Sequence, residues 1–155
     1  MYYFEHDPNQ SLAIWYFHKP VAADWTLHFE HLRALTRYSA TTGKRCAALM
    51  ITRSFDMPDA DQRTTLTQIT GSPGYDPLVA FVAPNTMLKT LLNLFSWFQK
   101  KPAYTMEFVD SISSGLAWLE AQRGTPLPRL REMASLVLKR AGDLEVISGP
   151  NARLG

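Results

Sequence analysis

The chain has 155 residues, 46% hydrophobic and 19% charged, with a formal net charge of +2. That length and balance fit one globular domain with a sizeable core, and the charge is too weak to argue for nucleic acid. Cys46 is the single cysteine, which excludes an intrachain disulfide and a multi-cysteine zinc site and fits a cytoplasmic location.

The segments 2–6 and 12–18 are rich in aromatic and β-branched residues and flank Asp7-Pro8-Asn9-Gln10, a turn sequence. They predict an antiparallel hairpin, and no secretory leader is expected in them. Asp24 is the expected cap of a helix running to about Ser39, with Trp25, Phe29, Leu32 and Leu35 along one side and Gly43 at its end. Cys46-Ala47-Ala48-Leu49-Met50-Ile51 reads as a central strand. Residues 59–70 form a weaker helix, since threonines lower helix propensity, and Gly71-Ser72-Pro73-Gly74 is a turn.

Leu78-Val79-Ala80-Phe81-Val82-Ala83 is an uninterrupted apolar run between Pro77 and Pro84. A strand apolar on both faces has to be covered on both, which marks a central parallel strand. Asn85 or Thr86 is the expected cap of the next helix, which extends to about Lys100. Tyr104, Met106 and Phe108 alternate with Thr105 and Glu107, as on an edge strand with one wet face. Asp110 or Ser111 then caps a helix carrying Ile112, Leu116 and Leu119 and stopped by Gly124.

The order ββαβαβαβα predicts an α/β fold. Its mixed sheet of about five strands is largely parallel and flanked by helices on both faces, because strand–helix–strand crossovers are right-handed. Residues 1–123 make this domain. In 124–155, Pro126 and Pro128 mark a linker, and Leu130, Ala134, Val137 and Ala141 form the stripe of an extra helix beside Arg129, Arg131, Lys139 and Arg140. A loose tail is expected from Gly142 onward. No apolar stretch reaches the ~18 residues needed to cross a bilayer.

Four features carry the resemblance to the STAS-like fold of sulfate transporters and anti-sigma-factor antagonists. They are the initial hairpin, the apolar strand at Cys46, Phe81-Val82-Ala83-Pro84-Asn85 leading into a long helix, and the closing Gly115-Leu116-Ala117-Trp118-Leu119. The last resembles the final helix of bacterial STAS-like regulators. The resemblance implies a regulatory role through protein partners. It also implies a phosphorylatable Ser after the third strand, where Ser54 of Thr52-Arg53-Ser54-Phe55-Asp56 is the nearest match. No Ser-Gly follows and Phe55 intrudes, so Ser54 is expected to be unmodified.

No Gly-rich phosphate loop, nucleophile elbow or Cys with an evident His partner is present, so no catalytic residue, cofactor or metal is assigned. His28 and His31 stand at i, i+3, but a metal needs further ligands; both read as surface residues. Cys46 reads as a buried, inert thiol. Ligands of parallel sheets bind at the carboxyl ends of the strands, which makes Arg53, Ser54, Asn85 and Thr86 a candidate anion or partner site. The helix from Thr86 is apolar over more than half its circumference, beyond the roughly 100° stripe a sheet covers, so Leu94, Trp97 and Phe98 are candidate interface residues. The expected partner is another protein or a second copy in a homodimer. A hydrophobic small molecule or lipid is the alternative ligand, and peripheral lipid contact of the basic C-terminal helix is the less favoured use of that segment.

Overall fold

The computed structural model describes residues 1–54, 56–96 and 104–147, with residues 94–96 by backbone alone. The strands are β1 (Tyr2–Asp7), β2 (Leu12–His18), β3 (Ala47–Ser54), β4 (Leu78–Val82) and β5 (Thr105–Val109). The helices are α1 (Ala22–Thr42), α2 (Ala60–Thr70), α3 (Asn85–Ser96), α4 (Ile112–Arg123) and α5 (Pro128–Ala141). They build a five-stranded sheet in the order β1-β2-β3-β4-β5. β1 runs antiparallel to β2, and the remaining pairs are parallel. The mixed α/β architecture expected from the sequence is therefore present.

The strands add in one direction across the sheet, so right-handed crossovers place α1 and α2 on the same face. Ala13, Trp15, Phe17, Ala48, Val79 and Phe81 meet Trp25, Leu32, Leu35, Leu66 and Ile69 there. The opposite face is left for helices that follow the last strand. Leu12, Ile14, Leu49, Ile51, Ala80 and Val82 pack there against Ile112, Leu116 and Leu119 of α4 and Leu130, Met133, Ala134, Val137 and Leu138 of α5. α5, read from sequence as an addition after residue 123, thus supplies part of the same core. It packs directly on β2. That is why β2, second in the sheet, is buried on both faces from Leu12 to Phe17.

Local chemistry sets the ends of these elements. Asp59 caps α2 in a reciprocal box with Gln62, and Ser111 caps α4 by accepting from Ser114 N–H. α1 begins earlier than Asp24: Val21 is its cap residue, and Asp24 sits in the first turn, where its carboxylate accepts the Val21 N–H at 2.9 Å. α3 includes Asn85 as its first residue. Gly115 lets α4 approach the sheet closely. A Cβ there would lie 2.9 Å from Leu49 Cδ1 and 3.2 Å from Val82 Cγ2. Among the described residues, no helix is long and apolar enough to cross a membrane.

Candidate functional site

The carboxyl ends of β2 and β3 open into a cleft of about 600 Å³ lined by Tyr16, His18, Arg53, Pro84, Ala141, Asp143 and Glu145. Parallel pairing brings Tyr16 beside Ile51 and Phe17 beside Thr52, and a register shift after Phe17 then sets His18 against Ser54. Because strand side chains alternate between faces, Tyr16 points to the α4–α5 side with Leu12 and Ile14. Arg53 reaches into this end of the sheet from β3.

The Arg53 guanidinium is occupied. Its Nε donates to Asp143 Oδ2 at 2.7 Å and its Nη2 to Asp143 Oδ1 at 3.3 Å, while Nη2 also donates to Glu145 Oε2. Such a fork onto a carboxylate fixes direction as well as charge. The Tyr16 hydroxyl donates to Asp143 Oδ2 at 2.8 Å. The backbone N–H of Ile112, at the start of α4, donates to Glu145 Oε1 at 3.2 Å. Burial alone would raise the Asp143 carboxyl, but the bonds from Arg53, Glu145 N–H and Tyr16 outweigh it and hold it below its ordinary value. Burial, with Asp143 as the acceptor, pushes the Tyr16 phenol up to about 12.

The tail expected to be loose is therefore pinned as far as residue 147. Gly142, at φ 68°, closes α5 in a left-handed conformation. Gly142 N–H bonds the Lys139 carbonyl and Asp143 N–H bonds the Leu138 carbonyl at 2.9 Å, the paired closure of a Schellman motif. This turn delivers Asp143 onto Arg53. Alternation along the following residues sends Asp143 and Glu145 inward and leaves Leu144 and Val146 at 92% and 84% exposure. That period-two pattern, acidic against apolar, was the signal in the sequence.

The other predicted site residues are spread around this cleft. Ser54 is half-buried, with its Oγ 3.4 Å from His18 Nδ1 and its carbonyl bonded by Lys19 N–H. Asn85 and Thr86 are exposed at the start of α3. Asn85 lines a separate cleft of about 350 Å³ with Ala83, Leu88, Phe108, Val109, Asp110 and Ser114. Arg53 and Asn85 thus line two different clefts among the described residues. Of the predicted interface residues, Trp97 and Phe98 lie outside the described residues, as does the side chain of Leu94.

The histidines differ from expectation. His28 is only 3% exposed, boxed by Tyr2, Trp15, Phe17, Trp25 and Phe29. It is a core residue because the β1–β2 hairpin folds its aromatic side chains over α1. The Tyr2 hydroxyl lies 2.8 Å from His31 Nδ1 and 3.4 Å from His28 Nδ1. Burial, then the neighbouring His31, lowers His28 to about 3, so it is neutral. Trp15 Nε1 is buried without a hydrogen-bond partner of good geometry. Cys46, expected to lack a histidine neighbour, has its Sγ 3.8 Å from His6 Nε2. Burial nonetheless pushes the thiol up to about 11, the condition of an unreactive cysteine.

Chemically, the Arg53 cleft holds oxyanions: a guanidinium fork, a phenol and a backbone N–H converge on two carboxylates. The second cleft joins apolar and polar lining beside the edge strand β5. No family model, no curated protein and no solved structure matches the chain.

Proposed function

We propose that the chain is a STAS-like regulatory or scaffold module that acts by binding another protein, with self-association as the simplest case. The observation that carries this reading is the outer side of α3. Leu88 and Leu92 stand 37% and 51% exposed there, while Leu91 is buried. Leu88 adjoins the cleft formed with Phe108 and Val109 of β5, the last strand of the sheet. Apolar side chains beside an edge strand suit a partner that covers both, since a strand edge offers unpaired backbone groups. In this reading Ser54 is not a phosphoswitch; its hydroxyl is half-buried beside His18.

Native mass spectrometry of freshly purified protein tests the reading against a hydrophobic small-molecule carrier. The expected spectrum contains the chain alone or in protein complexes of integral stoichiometry. A retained lipid-sized mass that survives gentle activation would overturn the proposal in favour of the carrier.

A further inference from the structure

We propose that the Arg53 cleft is a docking site for an extended acidic peptide of the form Asp-x-Glu on a partner protein, and that residues 143–147 of the chain itself hold the site shut. The occupant already present defines the chemistry. Asp143 takes the guanidinium fork and the Tyr16 hydroxyl, and Glu145 takes Arg53 and the Ile112 N–H. Two carboxylates spaced i, i+2 on an extended chain match these donors because period-two alternation sends both to one side.

The closed state rests mainly on charge. Leu144 and Val146 are the two most exposed large apolar residues among the described residues. Of the segment's apolar side chains, only Ile147 packs against the core. A segment built as permanent structure would bury its apolar side. The ion pairs are only partly shielded, with Arg53 at 21%, Asp143 at 14% and Glu145 at 25% side-chain exposure. Salt and a competing anion therefore reach them. The cleft also leaves room beside the segment, about 600 Å³, along which His18 and Pro84 remain to meet a longer peptide.

A tethered occupant competes at an effective concentration in the millimolar range. A free peptide therefore binds wild type weakly and binds an opened site well. The inference rests on the protein-binding reading only for the origin of the peptide, and it uses a different surface from α3. The test needs no cellular partner, so its failure and that of the α3 reading are separable.

The probe is a fluorescein-labelled peptide with the sequence of residues 142–147, followed by anisotropy on the full chain. The double variant Asp143→Asn/Glu145→Gln should bind it at least about tenfold more tightly than wild type, since the tethered competitor is removed. The gain should shrink with added salt, vanish on further replacement Arg53→Met, and be absent for a peptide carrying Asn and Gln in place of the two acids. Glu145→Gln alone retains the Asp143 fork and should show a smaller gain in the same direction. Equal binding to wild type and Glu145→Gln would overturn the proposal, whatever the double variant does. Binding that survives Arg53→Met would overturn it too.

Discussion

His28 is the residue whose environment most changes its chemistry. An imidazole normally titrates near 6.5, but burial in the aromatic box lowers it to about 3. A base depressed in this way binds fewer protons folded than unfolded between those two values. Its contribution is complete above pH 6.5 and is lost as pH falls toward 3. The slope for one such group approaches about 1.4 kcal/mol per pH unit only well below 6.5, so about 2 kcal/mol should disappear between pH 7.5 and 5. His28→Phe should remove most of that loss, leaving the smaller shares from His31 and His6, whose values burial also lowers. Urea denaturation of both proteins at pH 7.5 and pH 5.0 measures it; an equal loss in the variant would contradict the assignment. The sequence did not reveal this role. An i, i+3 histidine pair looks the same on a wet helix face as under a hairpin, and only the fold over Tyr2 and Phe17 tells them apart.

At the scale of elements, α4 comes close to the sheet at Gly115. Gly115 stands over Leu49, Val82 and Val109, with 2.9 Å to Leu49 Cδ1 for an added Cβ. That atom ends a flexible side chain and can yield, and alanine restores about 1 kcal/mol of helix propensity. Gly115→Ala should therefore be near neutral. Gly115→Leu should cost about 1–3 kcal/mol by overpacking, read as a shift in urea midpoint; a neutral leucine would mean that α4 sits farther from β3 and β4. The strands were legible in the sequence because a central strand must be apolar on both faces, as 46–51 and 78–83 are. The cap at Ser111, one of the two offered with Asp110, and the stop at Gly124 were legible for equally local reasons. The bond between Arg53 and Asp143 was not: the two residues are 90 positions apart. Nothing local marks their meeting except the acidic–apolar alternation after Gly142.

For the whole molecule, the sheet order explains both surfaces. Sequential strands put α1 and α2 on one face and leave the other to α4 and α5. The segment after α5 then falls across the carboxyl ends of β2 and β3, where ligands of parallel sheets bind. The α3–β5 side carries two of the exposed leucines, Leu88 and Leu92. The central claim is that this side binds protein, and affinity capture from the native cell with the full chain as bait tests it most directly. Wild type should recover a defined protein in near-stoichiometric amount, or further copies of itself. Leu92→Asp, which alters a 51%-exposed side chain, should keep the fold and reduce recovery at least about tenfold, as expected for a central apolar contact. Undiminished recovery by a folded Leu92→Asp protein, or no recovery by wild type, would contradict the account.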